Sequence, residues 1–144
     1  MSRFIKRLTG LTLLCLIVAW FLSAPTYVDP AAFDGLTGNA SVGEQVFHAS
    51  GCSSCHSAPE AKGDAKYLLA GGRQFKTDFG TFVAPNISPD PDQGIGTWSV
   101  TDLANAMQKG VSPSGEQYYP AFPYSSYQRM EAQDIADLHA YLQT

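Results

Sequence analysis

The chain has 144 residues, 44% of them hydrophobic, and a formal charge of −4, which is enough for one domain with a small core. The charge is unevenly placed: the first 24 residues hold +3, which against the total of −4 leaves −7 on residues 25–144. A body this acidic repels phosphate backbones, which excludes nucleic acid as a partner and suits proteins that present a basic patch.

Residues 1–7, "MSRFIKR", carry Arg3, Lys6 and Arg7 and no acid, as a cytoplasmic basic flank does. Residues 8–24, "LTGLTLLCLIVAWFLSA", are uncharged and read as a transmembrane anchor or a signal sequence. Ala24 suits the −1 position of a cleavage site, but Leu22 at −3 and Pro25 after the cut do not, so an uncleaved anchor is expected. The basic flank stays inside. This puts the anchor in a bacterial inner membrane, the N-terminus in the cytoplasm and everything after Pro25 on the periplasmic side. Cys15 lies within the run behind Leu14, which is not the small residue a lipoprotein signal needs, and is expected to be an ordinary apolar residue of the helix.

Residues 25–40, "PTYVDPAAFDGLTGNA", are rich in Pro, Gly and small polar residues and read as a flexible linker, with the folded domain at 41–144. A short helix is expected from Ser41, with Ser41 as cap, Glu44 three residues on, a stripe of Val42, Gln45/Val46 and His48/Ala49, and a stop at Gly51. Residues 58–96 are loop-like, with one short helix around Asp64–Leu69 and no strand of useful length. A loop of this size in a small domain needs a bound group to wrap. "SVTDLANAMQKG" is a marked helix: Ser99 caps it with Asp102 at N3, Leu103, Ala106 and Met107 form its apolar stripe, and Gly110 stops it. A second loop rich in Tyr and Pro follows. Glu131 to Leu142 then closes the chain as a helix with Ile135, Leu138 and Leu142 on one face. The expected class is all-α, three main helices with long loops behind an N-terminal transmembrane helix.

The chemistry concentrates in "CSSCH", Cys52 to His56. A structural zinc site would need a second Cys/His pair at similar spacing, and the chain after residue 24 has no other cysteine and only His48 and His139 besides. A thioredoxin-like pair would need a βαβ setting. Cys-x-x-Cys-His is instead the attachment signature of c-type haem: the thiols of Cys52 and Cys55 add across the vinyl groups, and the imidazole of His56 is the proximal iron ligand. The distal ligand is then sought among Met and His. Met130, on a loop just before the last helix, is favoured; Met107, on the apolar stripe of its helix, is the second choice. His48 lies too near His56 to reach the other face, and His139 sits in the last helix beside Asp137.

With these residues in view, the chain resembles a class I c-type cytochrome over Ser41 to Leu142. Gly43 and Phe47 stand opposite Leu138 and Tyr141 as the family's helix-crossing pairs do. "FGTFVAPNISPDPDQGIGTWS" and "GVSPSGEQYYPAFPYSSYQRM" resemble the single-haem units in cytochrome subunits of membrane-bound alcohol and aldehyde dehydrogenases. Members often carry methionine where Phe122 stands in "PAFPY"; the retained "YQRM" supports Met130.

The resemblance implies a small cytochrome c fold with one covalently attached haem c and His/Met ligation. It also implies an electron carrier rather than an enzyme, exchanging single electrons with redox proteins such as a dehydrogenase, an oxidase or another cytochrome. A narrower version is the cytochrome subunit of an exported dehydrogenase. A different class, a five-coordinate haem enzyme or gas sensor, requires that neither methionine binds the iron. Arg73 and Trp98 are candidate donors to a haem propionate, with a solvated arginine and a core tryptophan as the plain alternative. Asp90 and Asp92 fail a calcium-loop pattern at Gly94 and read as a turn, and Tyr118, Tyr119, Tyr124 and Tyr127 read as haem-wall packing.

Overall fold

The computed structural model describes residues 2–144. Helix α1, Arg3–Ser23, opens the chain; Ser2 caps it by accepting the Ile5 amide. At 21 residues it is about 31 Å long, the thickness of a hydrocarbon core, and none of it is buried against the rest of the chain.

Two crossed helices organise the domain. Helix α2, Ala40–Ser50, packs against the last helix, α6, Ala132–Leu142. The approach is close because Gly43 has no side chain: a Cβ there would collide with the carbonyl of Asp137 and stand 2.9 Å from the Tyr141 Cβ. Phe47, four residues on, is fully buried with its ring 5.1 Å from that of Tyr141. Ile135, Leu138 and Leu142 bury the facing side. The face α2 turns inward is therefore Gly43/Phe47, not the expected stripe, since Val42 is exposed and Val46 only half-buried. The cap also differs. Asn39 rather than Ser41 caps α2, its side-chain oxygen accepting from the Ser41 and Val42 amides at 3.0 and 3.3 Å. Asn39→Ala is expected to lower stability by about 1 kcal/mol, read as a reduced denaturant midpoint at unchanged slope.

Between α2 and α6 the chain is mostly loop. Gly51, left-handed at φ 69°, separates α2 from the single turn α3, Cys52–His56. The short helix expected near Asp64–Leu69 is a 3-10 segment, Gly63–Leu68. Contrary to the strand-free expectation, Gln74–Thr77 (β1) and Gly80–Val83 (β2) pair antiparallel around an Asp78–Phe79 turn, with Phe75 opposite Phe82. Both strands are largely exposed on both faces, so no inside/outside alternation marked them. Helix α4, Val100–Ala104, starts at the expected box: Ser99 Oγ accepts the Asp102 amide and Asp102 accepts the Ser99 amide. It widens into a π turn at Asn105–Lys109 and stops at left-handed Gly110. Leu103, Ala106 and Met107 are buried as the stripe required. A short helix α5, Tyr124–Tyr127, precedes α6.

The segment read as a flexible linker is not free over most of its length. The Val28 amide donates to Asn105 Oδ1 at 2.9 Å. Asp29 caps a 3-10 turn, Pro30–Phe33, and Phe33 is buried in the core. Gly38 lies so near the Ala136 carbonyl that a Cβ would strike it. Gln133 Nε2 donates to the Thr37 carbonyl, and the Asn39 amide donates to the buried Asp137 carboxylate at 2.7 Å. Residues 28–39 are a docked strap. Their composition reads as loop because most of the docking is through main-chain groups, which side-chain patterns do not report.

Candidate functional site

Cys52 and Cys55 lie three apart on the turn of α3, so both sulfurs leave the same side of one helical turn, half-buried. Cys52 packs against the core, and burial pushes its thiol up to about 11. Ser54 Oγ donates to the Gly51 carbonyl at 2.6 Å and steadies the turn.

His56 is fixed by main chain. Its Nδ1 lies 2.8 Å from the Pro85 carbonyl, so the neutral ring donates there and leaves Nε2 unprotonated, as a metal-ligating imidazole requires. Burial lowers its basicity below the usual histidine value, and the Pro85 contact opposes this without cancelling it. The loop reaches back because Gly71 is left-handed (φ 70°); a Cβ at this residue would stand 2.5 Å from the Pro85 carbonyl carbon. The Gly71 amide then donates to the His56 carbonyl, and Gly72 and Ala84 close the hairpin base. Pro85 escapes a sequence reading because it contributes only a carbonyl.

Beside His56, Ser57 is 1% exposed and accepts from Arg73 Nη2 at 3.1 Å. Arg73 Nε is buried without a hydrogen-bond partner. An orphaned buried donor on a half-buried arginine calls for an acceptor, and a carboxylate is the fitting one. With two thiols on one turn and an imidazole whose Nε2 is free, the residues present fit a covalently held haem whose propionate meets Arg73. Trp98, the other expected donor, is half-buried on the core, and its carbonyl lies 2.8 Å from His139 Nε2. His139 thus pins a loop.

Across from the thiols, Tyr127 donates to the Ser50 carbonyl at 3.0 Å. Its phenol is raised by burial first and by Cys52 and Cys55 next, and like Cys52 it packs against the core. Phe122 stacks on Tyr127 at 5.9 Å, and Tyr118 meets Phe122 edge-on. Tyr119 stacks on Phe82 of β2 at 4.6 Å and joins the second loop to the hairpin.

Both candidate methionines lie at the core cluster against which Cys52 packs. Met107 is buried among core residues that include Leu103 and Ile135. Met130 is half-buried, its amide bonded to the Tyr127 carbonyl and its own carbonyl to Gln108 Nε2, and it lines a groove with Val28, Phe33 and Lys109. His48 is exposed and packs edge-on to Tyr67. Asp90 Oδ1 accepts the Asp92 and Gln93 amides, and these hold its carboxyl below the usual range, as a turn-capping aspartate should be.

Comparison with known proteins adds a family match and named relatives. The profile of the cytochrome c family matches residues 40–144. The chain is 57% identical over 124 residues to a diheme cytochrome c-type protein of Cereibacter sphaeroides, covering 86% of this chain and 42% of that one. It is 36% identical over 99 residues to the cytochrome c subunit of a quinone alcohol dehydrogenase of Gluconobacter oxydans, covering 69% and 20%. It is 31% identical over 137 residues to the fructose dehydrogenase cytochrome subunit of Gluconobacter japonicus, covering 94% and 27%. The chain thus spans less than half the length of the curated relatives it matches.

Proposed function

The chain belongs to the cytochrome c family, and from that premise we propose that it carries one haem, bound through Cys52, Cys55 and His56, and shuttles single electrons between redox proteins at a membrane. The observation that carries this reading is the set formed by two thiols on one turn, an imidazole held by Pro85, and the buried donor of Arg73 awaiting an acceptor. When bound, the group supplies a one-electron Fe(III)/Fe(II) couple. The chain's residues hold it, set the imidazole tautomer and keep water from the ring with the Phe122–Tyr127 wall. One Cys-x-x-Cys-His motif implies one haem on this chain, although one relative is named as diheme. Relatives named as cytochrome subunits of dehydrogenases support a dehydrogenase as electron donor, and α1 supports attachment to the membrane with the haem domain outside the cytoplasm.

For the sixth position we keep Met130 as the ligand, with Met107 second. Met130 is at a loop–helix junction and only half-buried, whereas moving Met107 would open the core. A second reading, an iron with an open sixth position, is favoured by the aromatic wall: Phe122 has no ligating atom, and the Tyr127 hydroxyl is already committed to Ser50. Haem staining of the denatured chain tests attachment, and ferric spectra of the wild type, Met130→Ala and Met107→Ala test ligation. The expected result is a low-spin wild type with a thioether-to-iron band, lost only in Met130→Ala. Loss only in Met107→Ala reverses the assignment, and a high-spin wild type establishes the second reading.

A further inference from the structure

The docked strap changes what the N-terminal helix can do. Helix α1 ends at Ser23, and Tyr27 is already against the domain, its hydroxyl 3.2 Å from where a Cβ at Gly115 would stand. The Val28 amide is bonded to Asn105. Only Ala24, Pro25 and Thr26 lie between, so Ser23 to Tyr27 spans at most about 14 Å. A body made of residues 28–144 has a radius of gyration of about 13 Å and a diameter of about 35 Å. The spacer is thus shorter than the domain it holds. Were residues 25–40 free, the chain would reach about 55 Å fully extended and about 22 Å on average, enough for the domain to turn over and leave the surface.

We propose that the strap seats the domain directly on the lipid surface, with the face carrying Tyr27, Asp29, Gln108 and Lys109 turned to the headgroups. This rests on the reading of Arg3–Ser23 as a membrane anchor. The headgroup layer is roughly 6 Å deep on each side of the hydrocarbon, so a spacer of at most about 14 Å leaves that face no more than about one side-chain length beyond it. Aromatic residues flank the junction: Trp20 is 76% exposed near the end of α1 and Tyr27 55% exposed at the start of the strap, a placement suited to the membrane–water interface. Because the domain neither swings nor rotates freely, its electron partners are proteins fixed in the same membrane, close to this surface, rather than diffusing ones.

The test uses the full haem-loaded chain in phospholipid vesicles. Cys52 and Cys55 are consumed as thioethers, so Cys15→Ala with Lys109→Cys, at an exposed position of that face, leaves one thiol for a nitroxide label. Collision of that label with a nickel chelate on lipid headgroups is measured by electron paramagnetic resonance, with and without twenty Gly/Ser residues inserted between Pro25 and Thr26. The expected result is strong collision in the native-length chain and a several-fold fall on insertion. Equal collision in both, or none in the native-length chain while it resists carbonate extraction, overturns the seating. Release of the chain by carbonate overturns the anchor reading instead.

Discussion

Gly43→Ala should cost this domain about 3 kcal/mol or more, and Gly43→Val should prevent folding. The added Cβ does not meet a flexible side chain. It meets the Asp137 carbonyl, with the Asp137 carbonyl carbon 2.5 Å away and the Tyr141 Cβ at 2.9 Å, in the interior of α6. Helix backbone cannot step aside locally, so α2 and α6 must separate. That movement opens the contact of fully buried Phe47 with Tyr141 and Leu138. Overpacking a core costs about 1–3 kcal/mol when side chains can adjust, and a clash with main chain belongs at or above the upper end of that range. A domain of this size has about 5–15 kcal/mol in all. The check is denaturant unfolding of the haem-loaded protein beside Val42→Ala, an exposed change one residue away that should lie within about 0.5 kcal/mol of wild type. Equal midpoints for the Gly43 and Val42 variants would show that the helices do not meet as closely as the structure places them.

Gly43 also shows what a sequence can and cannot disclose. The helices at 99–110 and 131–142 were legible because each carries an apolar stripe, and the first adds a capping box and a left-handed glycine stop. The Cys-x-x-Cys-His motif was legible because it is contiguous. The inward face of α2 was not legible from periodicity, since a glycine used for close approach has no hydrophobicity to register, and the pattern drifted to Val42 and Val46. Only the family likeness named Gly43 and Phe47. The strap was missed for a related reason: its attachment relies on the amides of Val28 and Asn39 and the carbonyl of Thr37, with Phe33 as its only buried side chain. The hairpin lacks a buried face, so strand alternation had nothing to act on. Pro85 acts through an oxygen that every residue has. What composition hides in this chain is mostly the work of main-chain groups brought together by the fold.

Arg73 gives the second large effect, because removing it tests the cofactor's carboxylate through the protein's own donor. Its guanidinium is held by Ser57 at Nη2 while Nε is buried without a partner. In the haem-loaded protein a propionate accepting from Nε would make a charge-assisted bond, worth about 1.5–3 kcal/mol. Arg73→Met is therefore expected to lower the unfolding free energy of the haem-loaded chain by about that amount. It should also lower the reduction potential, since a nearby cation favours Fe(II) over Fe(III) and its loss favours the ferric form. Arg73→Lys separates charge from hydrogen bonding. The ammonium keeps the positive charge but lacks the planar fork, so it should restore most of the potential and only part of the stability. Potentiometric titration and denaturant unfolding of the three proteins read the two effects independently. If Lys and Met are indistinguishable from each other in potential, the charge of Arg73 does not reach the iron. If both match the wild type in stability, no carboxylate accepts from Nε, and that buried donor is satisfied by water instead.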